Sequence, residues 1–159
     1  MMGIVVHPTG KYELVYITDE CDTQLDELQD VVNGSIEAVF LNDDLHGYVN
    51  EEGKIRGYWN NPVATAFVCQ YVEYFANHDY IAGNMLIMEH DDYGNERGLT
   101  NHVQIMDELD ACGGKFELPC SGSRCPACSE RKIEAHEDCT DTHPVMHCSG
   151  CGAMWEVCD

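Results

Sequence analysis

Apolar and polar residues change their spacing several times along the chain, and each change predicts an element. Ile4-Val5-Val6, the turn residues His7-Pro8-Thr9-Gly10-Lys11 and the run 12–17 (YELVYI) predict a β-hairpin. Leu25, Leu28, Val31 and Val32 then recur at helical spacing in 23–32; Thr18 or Thr23 can cap that helix and Asn33-Gly34 ends it. Residues 35–41 (SIEAVFL) return to strand alternation, and 45–57 reads as two short strands about Asn50-Glu51-Glu52-Gly53. The strongest helix signal spans 60–76. Asn61 is placed as its N-cap and Pro62 as its first residue, and Val63, Phe67, Tyr71, Tyr74 and Phe75 make one broad apolar face. Residues 84–89 (NMLIME) read as a buried strand and 90–98 as a polar loop. A third helix follows over 99–112, with Thr100 as its cap and Val103, Met106 and Leu109 on its apolar side.

The predicted order is β-β-α-β-β-β-α-β-α. It belongs to the α+β class: a small antiparallel or mixed sheet with about three helices, followed by a cysteine-rich tail. Residues 120–124 (CSGSR) are the one linker-like stretch, dividing the chain into an α+β domain, 1–118, and a tail, 119–159.

In the tail, cysteine spacing replaces hydrophobic periodicity as the signal. Cys125 and Cys128 enclose two residues, as do Cys148 and Cys151, and nineteen residues separate the pairs. That is the spacing at which two tight turns aim four thiolates at one tetrahedral zinc ion. Strands are expected at 131–139, 143–148 and 153–157, which makes the tail a zinc ribbon with a closed, non-catalytic structural Zn2+ on Cys125, Cys128, Cys148 and Cys151. The start of the chain, MMGIVVHPTG, lacks the basic and apolar regions of a signal peptide, so a cytoplasmic protein with reduced thiols is expected. A redox Cys-x-x-Cys needs a βαβ unit that the segment does not offer. Cys120, Cys139 and Cys158, with His136, His143 and His147, could replace a ligand or hold a second ion, or they are packing and surface residues. Cys69 falls in a helix core pattern and Cys112 at a helix terminus, with no base in view for a nucleophile.

Charge narrows the choice of partner. The chain carries 29 acidic and 8 basic residues, net −21. Residues 1–118 hold 22 and 5, or −17, and residues 119–159 hold 7 and 3, or −4. Such a surface repels phosphate backbones and anionic membranes and favours basic partners, although the same charge serves solubility or a salty habitat. Direct nucleic-acid binding by 1–118 is disfavoured. Arg124, Arg131 and Lys132 at the first cysteine pair are a sparse cationic footprint.

Catalytic signatures are weak. Residues 50–54 (NEEGK) are a carboxylate site or, in preference, a hairpin turn. His90, Asp91, Asp92 and Glu96 follow a strand, where a divalent ion or catalytic group can sit, but a solvated acidic loop explains them as well. Trp59 and Trp155 are interface anchors or packing residues. No phosphate-binding glycine loop, nucleophile elbow or His-Glu-x-x-His occurs.

The segments GSIEAVFL, NEEGKIRGYWNNPVATAF and DYIAGNMLIM carry a resemblance. Through Gly34, Ile36-Glu37, Asn50 to Lys54, Asn61, Ala64-Thr65 and Asp79 to Gly83, residues ~12–90 resemble the uncharacterised DUF3846 domain of phage and mobile-element proteins. The resemblance implies a phage accessory setting and no catalytic residues. This chain departs from it at Gly57-Tyr58-Trp59-Asn60, where the family reads Gly-Leu-Pro before the asparagine. The expected function is a non-enzymatic, phage-type accessory protein that binds and inhibits a basic, nucleic-acid-handling host protein. Two alternatives are a zinc-ribbon nucleic-acid-associated regulatory module and a metal-dependent hydrolase using the 89–96 loop.

Overall fold

The computed structural model describes residues 1–117 in full and, beyond them, the backbone of three strands at 133–135, 145–148 and 154–156. Strands β1 (Met2–Val6) and β2 (Lys11–Tyr16) form the expected hairpin, with Val6 opposite Tyr12. Helix α1 (Cys21–Val32) leads to a second hairpin of β3 (Ile36–Phe40) and β4 (Leu45–Asn50). Helix α2 (Pro62–Tyr71), a 3-10 turn (Glu73–Asn77), β5 (Met85–His90), the two-residue β6 (Glu96–Arg97), α3 (His102–Ala111) and the two-residue β7 (Lys115–Phe116) complete the domain.

The strand order is β3-β4-β5-β1-β2-β7, with β6 also paired to β5. Every pairing is antiparallel except β2 with β7, so the seven-stranded sheet is mixed and the fold is α+β. β5 lies between the two hairpins and its residues 85–89 are buried, as a strand covered on both faces must be. Alternation along the strands divides the core in two. Ile4, Val6, Tyr12, Met85 and Ile87 face α2 and α3 and pack on Val63, Phe67, Val68, Ile105 and Leu109. Leu86 and Met88 face the other way and pack with Ile17 and with Leu28 of α1.

Several expected boundaries move. Asn61 caps α2 as predicted, its side-chain oxygen accepting the Ala64 N–H at 3.1 Å, with Pro62 in the first turn. The helix stops at Tyr71, because Val72 adopts extended angles (φ −123°, ψ 92°), and Glu73–Asn77 continues as a 3-10 turn. Helix α1 ends on Asn33 in the left-handed region (φ 62°), as Asn33-Gly34 foretells, but no threonine side chain caps its start. The Thr18 N–H instead donates to Glu27 at 2.7 Å. The second strand expected within 45–57 does not form. The chain turns back on itself there, Gly53 N–H donating to Asn50 O at 3.1 Å and Arg56 N–H to Glu52 O at 2.8 Å. In α3, Val103 is 58% exposed and Ile105 takes the core position.

In the tail, β8 (Ile133–Ala135), β9 (Val145–Cys148) and β10 (Met154–Glu156) form a separate antiparallel sheet of order β10-β9-β8. Each strand falls inside one of the three segments expected from the sequence.

Candidate functional site

The sheet has two chemically different ends. At one end meet the β1–β2 turn, the end of α1, the 51–59 turn, residues 81–84 before β5 and the start of β7. Two buried asparagines fasten these segments. Asn61 donates to Val6 O and to Gly83 O, both at 2.9 Å, while it caps α2. Asn50 donates to Val32 O at 3.2 Å and Asn33 O at 3.0 Å, and its oxygen accepts the Glu52 N–H at 2.8 Å. A Cβ at Gly34 would stand 2.5 Å from the Asn50 amide nitrogen, so glycine is needed there for close approach. The Asn50, Asn61 and Gly34 of the family resemblance therefore act as joints of the scaffold. Residues 50–54 form a turn rather than a carboxylate site. Lys54 pairs with Asp79 and Arg56 with Glu52, all four well exposed.

These joints surround an open cleft of about 870 Å³ lined by residues that include His7, Lys11, Asn33, Tyr58, Trp59, Asn84 and Glu117. Its walls are pinned: Gly83 N–H donates to Trp59 O at 2.8 Å, Tyr58 N–H to Gly53 O at 2.8 Å, and the Asn84 amide to Val31 O at 3.0 Å. His7 stands between Asn84 (Nδ1 to Oδ1, 3.1 Å) and Glu13 (Nε2 to Oε1, 3.4 Å). The hydrogen bond to Glu13 outweighs partial burial and raises the His7 pKa. Lys11 pairs with Glu117 at 2.7 Å. The Trp59 side chain is left 78% exposed at this rim.

The other end collects carboxylates. Asp19, Glu20 and Asp22 enter α1, Asp43 and Asp44 form the β3–β4 turn, and Asp91 and Asp92 form the β5–β6 turn. The one described basic side chain here is Arg97, which donates to Glu89 from Nε (3.2 Å) and Nη2 (2.9 Å). Glu89 also accepts the Thr100 N–H and hydroxyl, each at 2.9 Å, so Thr100 serves Glu89 rather than capping α3. Burial opposes ionisation of Glu89, but the bonds from Thr100 and Arg97 outweigh it and hold the carboxyl below its usual range.

The four residues singled out in the 89–96 loop do not converge. Asp91 caps its own turn, accepting from Tyr93 N–H and Asn95 N–H at 2.9 Å, and Asp92 is exposed. His90 and Glu96 turn to the α1 face, where the sequence reading had missed His46. His46 is 2% exposed; its Nδ1 lies 2.9 Å from His90 Nδ1, a hydrogen-bond length that requires one nitrogen to donate and the other to accept. His46 Nε2 lies 3.2 Å from Glu96 Oε2, within ion-pair distance but out of hydrogen-bond alignment, and both atoms are otherwise without a partner. The Tyr48 hydroxyl donates to the second Glu96 oxygen, and burial, then that bond, raises the Tyr48 pKa. Alternation along β4 places His46 and Tyr48 on one face, and that pattern was the available signal.

Among the described residues, no group of three or more His, Cys, Asp or Glu is arranged to hold a metal ion. The side chains of Cys125, Cys128, Cys148 and Cys151, and of Cys120, Cys139, Cys158, His136, His143, His147 and Trp155, lie outside the described residues. Cys21, Cys69 and Cys112 are free thiols; burial first, then Glu108, pushes the Cys112 thiol up, against a role as nucleophile. No described helix is long and apolar enough to cross a membrane.

Fold and site together define a small α+β domain with one acidic end and one clefted end. Residues 1–110 match the family model described as "Domain of unknown function (DUF3846)", and the chain belongs to that family. No curated protein and no solved structure gave a significant match.

Proposed function

We propose that the protein is a non-enzymatic, phage-type accessory factor whose acidic end docks on a basic, nucleic-acid-handling host protein and inhibits it. The observation that carries this reading is the segregation of charge. Of the five cations in 1–118, Lys11, Lys54, Arg56 and Lys115 sit at the clefted end, while the exposed Asp43, Asp44 and Asp92 face solvent at the other. A coat that served solubility alone has no reason to be sorted in this way, whereas a docking surface of one sign steers a partner of the other. Arg97, the local exception, is committed to Glu89.

The tail in this reading carries a structural zinc ion. Four thiolates in two Cys-x-x-Cys turns are the donor set zinc prefers, and a three-stranded antiparallel sheet is the frame such turns require. Cys125, Cys128, Cys148 and Cys151 would hold the ion, which would supply folding energy to a segment too short for a core of its own.

The experiment is capture of partners from a lysate of the source cells, washed at low and at high salt. The parent chain is expected to retain a basic protein that salt releases. Asp43→Asn/Asp44→Asn/Asp92→Asn, whose side chains support no described contact beyond their own turns, is expected to lose it. Equal retention by the triple variant, or no retention at low salt, rejects the docking surface.

A further inference from the structure

The clefted end is not used by the acidic docking surface, and its construction indicates a ligand. The cleft, at about 870 Å³, lies within the roughly 300–1,000 Å³ of small-molecule sites. Its rim presents the indole of Trp59 to solvent. The Trp59 carbonyl is fixed by the Gly83 N–H at 2.8 Å, so the 78% exposure of the side chain belongs to an ordered backbone rather than to a loose loop. Asn33, which also lines the cleft, is held in the left-handed conformation, with its carbonyl taken by the Asn50 amide at 3.0 Å and by the Tyr58 hydroxyl at 3.3 Å. The Asn33 side-chain amide itself makes no hydrogen bond among the described residues, and the residue is exposed.

The electrostatics restrict the occupant further. The charges about the cleft occur as pairs, Lys11 with Glu117 and His7 with Glu13. A chain of net charge −21 also opposes the approach of a polyanion. The cleft therefore suits a flat, polar, uncharged group. An aromatic plane and a free amide that line one cleft are the combination that stacks the face of a base and reads its edge with a donor and an acceptor. We propose that the cleft binds a nucleobase presented as a nucleoside, stacked on Trp59 and hydrogen-bonded at its edge by Asn33.

The test is isothermal titration of the full chain with adenosine, guanosine, cytidine and uridine, with ribose and adenosine 5′-monophosphate as further probes. At least one nucleoside is expected to bind, ribose is not, and the monophosphate is expected to bind no tighter than adenosine. Trp59→Ala is expected to weaken binding about tenfold or more, the usual loss of one stacked base. Asn33→Gly keeps the left-handed backbone while deleting the amide, and is expected to change the preference among the four bases. Urea midpoints equal to the parent establish that both variants fold. Absence of nucleoside binding at about millimolar concentration, ribose binding as well as the nucleosides do, or an unaffected Trp59→Ala variant each overturns the proposal. Tighter, salt-sensitive binding of the monophosphate overturns it in favour of an anion site.

Discussion

The two ends of one sheet are built by opposite means. The clefted end is held by neutral amides: Asn50 and Asn61 are buried and bond to carbonyls in segments up to 55 residues away. The acidic end is held by a carboxylate, Glu89, which ties β6 and the entry to α3 onto β5. The first end pairs Lys11, Lys54 and Arg56 with carboxylates, and the second leaves Asp43, Asp44 and Asp92 facing water. Net charge alone would have described both ends as the same acidic surface. Amides do not titrate and carboxylates do, so the two ends should respond differently to substitution, pH and salt.

The largest expected effect is at the neutral joints. Asn61→Ala leaves the Ala64 N–H without its cap and Gly83 O without its donor, and takes one donor from Val6 O, whose residue also pairs with Met85 in the β1–β5 ladder. At about 1–3 kcal/mol for each orphaned group, the loss should reach about 3 kcal/mol or more, read as a lowered urea midpoint. At the acidic end, Tyr48→Phe strips the donor from a nearly buried Glu96 oxygen and should cost about 1–3 kcal/mol by the same measurement. A loss at Tyr48 larger than at Asn61 would invert the comparison.

pH should separate the ends with smaller effects. The Glu89 pKa is depressed, so its contribution is full above the ordinary value of 4.5 and is lost as pH falls through the lower folded value. The stability gap between the parent and Arg97→Ala, less than about 1 kcal/mol for so exposed a cation, should therefore close in acid. The His7 pKa is raised, so the sign reverses. Its contribution is full below 6.5 and is lost as pH rises through the folded value. His7→Gln should destabilise the protein at pH 6 and have little effect at pH 9, followed by thermal melts. The smallest effect should come from Asp43→Asn/Asp44→Asn, within about 0.5 kcal/mol of the parent. Any gain should shrink as added salt screens the repulsion.

The sequence made local structure legible and left long-range chemistry hidden. Asn61-Pro62 marks the start of α2 and Asn33-Gly34 the end of α1, because caps are written in adjacent residues. The end of α2 was illegible: Val72 to Phe75 continue the apolar pattern past the break, with no glycine or proline to mark it. β6 and β7 are two residues each, too short to show any period. Asn61 could be read as a cap, but its bonds to Val6 and Gly83 depend on the folded chain. His46 meets His90 and Glu96 only because β4 and β5 pair in one register, His46 opposite Met88. The cleft draws on several separate segments, and no single one of them announces it.

The place of β5 sets an order of assembly. The β1–β2 and β3–β4 hairpins close over short loops, but they join one sheet only through β5, where Ile4 pairs with Ile87, a separation of 83 residues, and Gly47 with the same residue. During synthesis the nascent chain can make both hairpins and still have no sheet until residue 90 leaves the ribosome. Until then the apolar faces of both hairpins lack their central partner. A late strand that joins two early hairpins in one step makes the domain cooperative, and it makes truncation before residue 85 equivalent to loss of the fold.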